Sequence, residues 1–223
     1  MHLAFWQPIY LSLTISLTAA IVVGVFGTIT GFIGGRKSFK GKLMLETVAL
    51  LPIVLPPSVV GFLLIKLFGH TSFFGRFIEW LFGESILFTW WAATIAASVV
   101  AFPLMYQMAK TGFVQIDKEI EGAAAVDGAS KAMVFMYITL PLAKPAILTG
   151  LLLSFARAFG EFGATLMFAG NIPGKTQTIP TAIYVAMEAG DMFIAWLYVV
   201  MCVVVSVLIL LLSTMFQRKM LKL

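Results

Sequence analysis

Residues Ile120–Ile147 read IEGAAAVDGASKAMVFMYITLPLAKPAI, a polar, helix-forming insert between apolar runs too long for a soluble core. Asp117, Glu119 and Glu121 precede the alanine run Ala123–Ala125, and Lys131 closes it. Acids early and a base late suit the dipole of a short helix, and alanine favours helix while leaving a flat surface for close approach. Gly128 then loosens or turns the chain, and Pro141 and Pro145 mark its return to the apolar phase. A short helix lying across a membrane surface suits a rigid knob for a groove on another protein. Composition alone equally suits an ordinary amphipathic loop, so the offsets within the segment decide between them.

The surrounding chain sets the class. With 61% hydrophobic and 11% charged residues and a mean hydropathy of +1.01, it lacks the charge a water-facing surface needs, which excludes a soluble domain. A helix needs about 20 mostly apolar residues to cross the hydrocarbon core. Pro8–Ile33, Leu43–Phe68, Ile86–Met108, Leu142–Phe168 and Met192–Phe216 meet this requirement. The expected fold is all-α: a polytopic membrane protein of about five transmembrane helices, with residues 1–223 forming one transmembrane domain and the polar insert at about 117–141. Pro52, Pro56 and Pro57 predict a kinked or broken second span. Gly24, Gly27, Gly31 and Gly35 make a small-residue stripe on the first, where another helix can approach. Trp6, Trp80, Trp90, Trp91 and Trp196 fall near span ends, as interfacial aromatics do. No basic stretch precedes the first apolar run and no small-residue cleavage site follows it, so it reads as a retained span.

Basic residues orient the spans. The first loop holds Arg36, Lys37, Lys40 and Lys42 with no acid, and the tail holds Arg218, Lys219 and Lys222. Lys110, Lys118, Lys131 and Lys144 populate the third loop. The second, Gly69–Ser85, has Arg76 against Glu79 and Glu84; the fourth, Ala169–Asp191, has Lys175 against Glu188 and Asp191. Odd-numbered loops and the C-terminus are therefore expected in the cytoplasm, with the N-terminus outside. The polar insert falls on the cytoplasmic side.

Arg157 and Glu161 stand four residues apart within the fourth span, on one helical face. A charge at the bilayer centre costs about 2.5–3.5 kcal/mol on insertion scales, so such residues face a bundle interior or a watery path. The pair fits either a structural link between helices or a pore-lining position. Gly160 and Gly163 flank the acid and allow close approach or a bend; with Thr165 these residues form the candidate path or gate. Of the two charges, Arg157 is the one that attracts an anion. Gly170–Thr176, GNIPGKT, is no phosphate-binding loop: only Asn171, Ile172 and Pro173 separate its glycines, and Pro173 removes an N–H that the cradle needs. A Pro-Gly turn suffices. His2 and His70 stand alone, no Cys/His cluster suggests a metal site, and no nucleophile sits beside a base, so no catalytic residue is assigned. Lys66 snorkels near a span end. The single Cys202 forms no intrachain disulfide.

The insert resembles the cytoplasmic coupling loop of bacterial ABC importer permeases, whose consensus is E-A-A, three residues, G, nine residues, I, one residue, L-P. Ala123, Ala124, Gly128, Ile138, Leu140 and Pro141 fall on it in register. Gly122 holds the consensus Glu position, and the acid stands one place earlier, at Glu121. The resemblance implies type I importer architecture. It also implies an ATPase-coupling role for Glu121, Gly122, Ala123, Ala124, Asp127, Gly128, Ile138, Leu140 and Pro141.

Leu51–Gly69, the insert and Phe155–Tyr184 together are similar to the permease subunit of molybdate ABC transporters. GEFGAT and NIPGKTQTIP are the most specific stretches. Tungstate permeases are not separable from these; sulfate and thiosulfate permeases share the general pattern. The resemblance implies two copies of the chain in the lipid membrane, a cytosolic ABC ATPase dimer using ATP and magnesium, and an extracytoplasmic molybdate-binding protein. No cofactor is expected in this chain, and its basic loops mark topology rather than nucleic acid. A secondary transporter or channel is the competing class. Those commonly carry paired inverted repeats or several intramembrane acids, whereas this chain has no repeat and one deep acid, Glu161.

Overall fold

The computed structural model describes residues 2–220, helical apart from short connections. Lys222 lies outside the described residues, as do the side chains of His2, Arg218 and Lys219. At the centre is α5 (Trp90–Val114), opened by Thr89, whose hydroxyl accepts the Ala92 N–H at 3.2 Å. Ala92, Ala93, Ala96, Ala101 and Ala109 on it are fully buried. Small side chains let several helices approach one backbone, and van der Waals packing of this kind holds a bundle together in lipid.

The first neighbour is α1 (His2–Arg36). Its Gly27 meets Met105, its Gly31 meets Ala109 and the Lys110 backbone, and Arg36 Nη1 donates to the Ile116 carbonyl at 3.1 Å. Sequence numbers rise together along both helices, so α1 and α5 run parallel. The glycine stripe is thus a helix-packing surface, and residues between the two helices must carry the chain back across the bundle.

That return is made by α2 (Lys42–Val54) and α3 (Pro57–Phe68), bent by 120° at the break between them. Here α2 lies beside the Val114 end of α5, where Glu46 pairs with Lys110 at 2.8 Å, and Val60 and Leu64 of α3 join the cluster around Ala92–Ala101. The break follows from consecutive prolines. Leu55 (φ −72°, ψ 138°) and Pro56 (φ −54°, ψ 138°) each precede a proline and are forced extended, while Pro57 opens the next helix. Pro52 stays within α2. Among the described residues four helices are therefore long and apolar enough to cross alone, and counting the bent pair as one span makes five crossings.

Beyond α5, α6 (Lys118–Val126) and α7 (Lys131–Val134) form the polar insert, and a π-helical turn at Phe135–Thr139 leads into α8 (Leu140–Phe159). Against α5, α8 runs antiparallel: Ala146 meets Gly112, Gly150 meets Met105, and Ser154 Oγ donates to the Ala101 carbonyl at 3.4 Å. The fourth span, expected to continue to Phe168, instead stops at Phe159 and resumes as α9 (Gly163–Ala169).

After α10 (Ile179–Glu188), α11 (Met192–Met220) makes the last crossing. Tyr198 stacks on Phe5 at 4.9 Å between ring centroids, which places the start of α11 beside the start of α1. The start of α1 and the end of α11 thus lie on opposite faces. Trp6, Trp90, Trp91 and Trp196 lie at helix beginnings on one face. Trp80 joins them from α4 (Phe73–Phe82), a short helix between α3 and α5.

Candidate functional site

The insert is a capped helix–turn–helix. Asp117 accepts the Glu119 N–H at 2.9 Å and opens α6, and Ser130 accepts the Met133 N–H at 3.3 Å and opens α7. Between them Gly128 adopts φ +89°, with open space where a β-carbon would stand. The turn therefore needs glycine for its backbone angle and not for lack of room. Gly122, Ala123, Ala125, Val126, Asp127 and Gly128 are exposed, Val126 by 88%, and Ala124 is half-buried. The expected apolar knob is bare.

Glu121 is half-buried beside these exposed residues. It turns into the bundle, where the Thr139 hydroxyl donates to its Oε1 at 2.6 Å and its Oε2 pairs with Arg36. One step along a helix rotates a side chain by about 100°. Acid at position 121 thus faces the bundle, while Gly122 stays exposed at the edge of the open space behind α6. The carboxylate ties together the end of α1, the start of α6 and the π-helical turn. That turn brings the Thr139 hydroxyl within 3.4 Å of the Val134 carbonyl while it holds Glu121. Leu140 packs against the cluster of Val23, Met105 and Phe113, Ile138 is half-buried and Pro141 is exposed. Ile138 and Leu140 root the segment more than they extend its surface. Arg36 and Thr139, which the sequence left unassigned, complete the clamp; no local signal connects residues so far apart.

The second site lies at the break between α8 and α9. Arg157 Nη1 stands 2.8 Å from Glu161 Oε2, with the Glu161 side chain 2% and the Arg157 side chain 36% exposed. Glu161 Oε1 accepts the Ala164 N–H at 2.8 Å, so the acid also caps α9. Both carboxylate oxygens are engaged, while Arg157 keeps part of its guanidinium accessible. A β-carbon on Gly163 would stand 2.9 Å from Pro57 Cβ, so the two broken crossings meet at their breaks. Gly160 closes α8 and is exposed, whereas Thr165 is buried and, with Glu161, belongs to the packed interior rather than to an open surface.

Gly170–Thr176 is a closed turn. The Ile172 carbonyl accepts N–H groups from Lys175, Thr176 and Gln177 at 3.0, 2.9 and 3.1 Å, and Thr176 Oγ1 accepts the Ile172 N–H at 2.9 Å. Donors spent inside the turn cannot cradle a phosphate. The following segment is pinned to α1, where Ser12 Oγ accepts the Ile179 N–H at 2.7 Å. His70, read from sequence as solitary, has Nδ1 2.5 Å from Glu79.

Known proteins are similar to this chain in sequence and in fold. The putative molybdenum transport system permease protein YvgM of Bacillus subtilis is 60% identical over 206 residues, covering 92% of this chain and 91% of that protein. The molybdenum transport system permease protein ModB of Escherichia coli K12 is 44% identical over 184 residues, 82% of this chain and 80% of its own. Among solved structures, a bacterial alginate ABC transporter in complex with a pentasaccharide-bound periplasmic protein matches with a TM-score of 0.76 and 18% identity. That match covers 96% of this chain and 78% of the other, and establishes the fold. Residues 25–222 match the model of the binding-protein-dependent transport system inner membrane component family. The five-crossing helical bundle and its polar insert agree with that match, and the chain belongs to this family of membrane-spanning transport components.

Proposed function

We propose that this chain is the permease subunit of an ATP-driven importer for molybdate, or for the closely similar tungstate. The observation that carries the coupling role is the bare alanine helix α6, clamped at Glu121 to the ends of two crossings. A partner pressing on α6 displaces the end of α1 and the start of α8 together, because Arg36 and Thr139 both hold the same carboxylate. Similarity to the molybdenum permeases supports the cargo. Two copies of the chain, a cytosolic ATPase dimer carrying ATP and magnesium, and an extracytoplasmic binding protein make up the working assembly. The Val114 end of α5, where the basic residues gather, faces the cytoplasm, and the N-terminus lies outside.

The permease contributes a path between its two copies. Arg157 offers that path one attractive charge for a tetrahedral dianion, and Glu161 sets the position of the guanidinium. Selectivity for anion size rests mainly with the binding protein, where fixed donors can measure the ligand.

Reconstituted vesicles test this reading. Uptake is expected to require the ATPase, ATP and the binding protein, with molybdate and tungstate competing far better than sulfate. Flux through the purified chain without ATP would favour a channel instead, and preferred sulfate uptake with the cognate binding protein would place the chain on the sulfate branch.

A further inference from the structure

Behind α6, on its bundle side, lies a cavity of about 490 Å³ between the end of α1, α6 and α7. Its apolar wall includes Phe32, Val134 and Phe135, and its polar wall carries Arg36, Lys37, Lys118 and Lys131 against a single acid, Glu121. Arg36 is neutralised by Glu121, which is itself held by Thr139. Lys37, Lys118 and Lys131 have no ion-pair partner among the described residues, and all three are exposed. Three different segments therefore direct uncompensated positive charge to one cavity beside an apolar floor.

We propose that this cavity binds the phosphate headgroup of an anionic membrane phospholipid. The floor belongs to the end of α1 and the π-helical turn before α8, and the lysines supply point charges on flexible stems that suit a phosphate. Basic pockets on the cytoplasmic side of membrane helices take such headgroups, each nearby lysine adding to the attraction. A bare oxyanion would use the cations but leave the Phe32–Phe135 floor uncovered; a glycerophosphate with its chains leading into lipid uses both. Helical spacing places Ile120 and Ala123 on the side of α6 away from Lys118, Glu121 and Ala125, which line the cavity. A headgroup there would support α6 from behind and leave its outward face free. The inference rests on the Val114 end lying at a membrane surface and is independent of the cargo.

Native mass spectrometry of the full chain, released from micelles containing phosphatidylglycerol or phosphatidylcholine, reads this directly. The wild-type chain should retain phosphatidylglycerol preferentially, and about 10 mM inorganic phosphate or molybdate should not displace it. Lys37→Gln/Lys118→Gln/Lys131→Gln should weaken retention by roughly a hundredfold. Lys40→Gln/Lys42→Gln/Lys144→Gln removes equal charge outside the cavity and should retain the lipid. Gly122→Leu, which fills the cavity without altering charge, should also lower retention, so the test does not rest on one variant's folding. Equal loss in the Lys40/Lys42/Lys144 variant would reduce the effect to general surface charge and overturn the proposal. Equal retention of the two lipids, or retention unchanged by Gly122→Leu, would overturn it too. Displacement by phosphate or molybdate would make the cavity a site for a free anion and remove the lipid from it.

Discussion

Glu121 and Gly122 are adjacent in sequence but differ in exposure and in partners, and both consequences are measurable. Gly122 is exposed with open space at its β-carbon position, so Gly122→Glu, which restores the family consensus, should be accepted without clash. ATP-driven uptake by that variant should stay within about twofold of wild type, since exposed substitutions are energetically small. Glu121→Ala strips Arg36 and Thr139 of their shared acceptor and should lower stability by about 2 kcal/mol, read as a fall in melting temperature. Gly128→Val places a β-branched residue at φ +89° and should strain the turn by about 1–3 kcal/mol. The protein should still reach the membrane while uptake uncouples from ATP hydrolysis; wild-type uptake would make Gly128 an ordinary loop position. At the second site, Glu161→Ala should cost more than Arg157→Ala because Glu161 also caps α9, and the double variant should cost less than the two losses summed. Strict additivity in melting temperature and uptake would mean that the pair does not act as a unit.

At the scale of elements, the small-residue stripe on α1 separates two kinds of glycine. A β-carbon at Gly31 would sit 2.7 Å from Ala109 Cβ and 2.9 Å from the Lys110 backbone nitrogen, so Gly31→Ala must push whole helices apart. At Gly24 the obstacle is the tip of the Leu151 side chain, which can rotate away. Melting in detergent should show Gly31→Ala costing about 1–3 kcal/mol and Gly24→Ala clearly less. Equal costs would mean that backbone approach does not set this packing. Sequence and structure agree unevenly on the broken crossings. The α2–α3 break is legible because Pro56–Pro57 constrains the two preceding residues directly. The α8–α9 break is hidden in a run that is mostly apolar from Leu151 to Ala169 and holds no proline, and it becomes stable when Glu161 caps the new helix and Gly163 packs on Pro57.

For the whole molecule, the parallel packing of α1 and α5 demands one net crossing between them, and the alternating basic loops are the basis for the proposed cytoplasmic face. Reporters at Lys40, Ser130 and the C-terminus should report cytoplasm, and those at Gly83 and Gly174 the outside. Gly83 suits a reporter because nothing stands within 4 Å of its β-carbon position. An external Ser130 would sink both the orientation and the coupling role.

By itself the sequence determined the all-helical class, the apolar stretches able to cross a membrane, the basic bias of alternate loops and the spacing of residues within the insert. Each depends on how consecutive residues partition between water and lipid, or on fixed spacing along one helix. Tertiary structure alone decided that Glu121 turns inward to Arg36 and Thr139, that the two breaks meet at Pro57 and Gly163, and that lysines from three segments share one cavity. Those outcomes depend on residues far apart in the chain, whose meeting is set by the packing of glycine and alanine faces around α5 and not by any local preference.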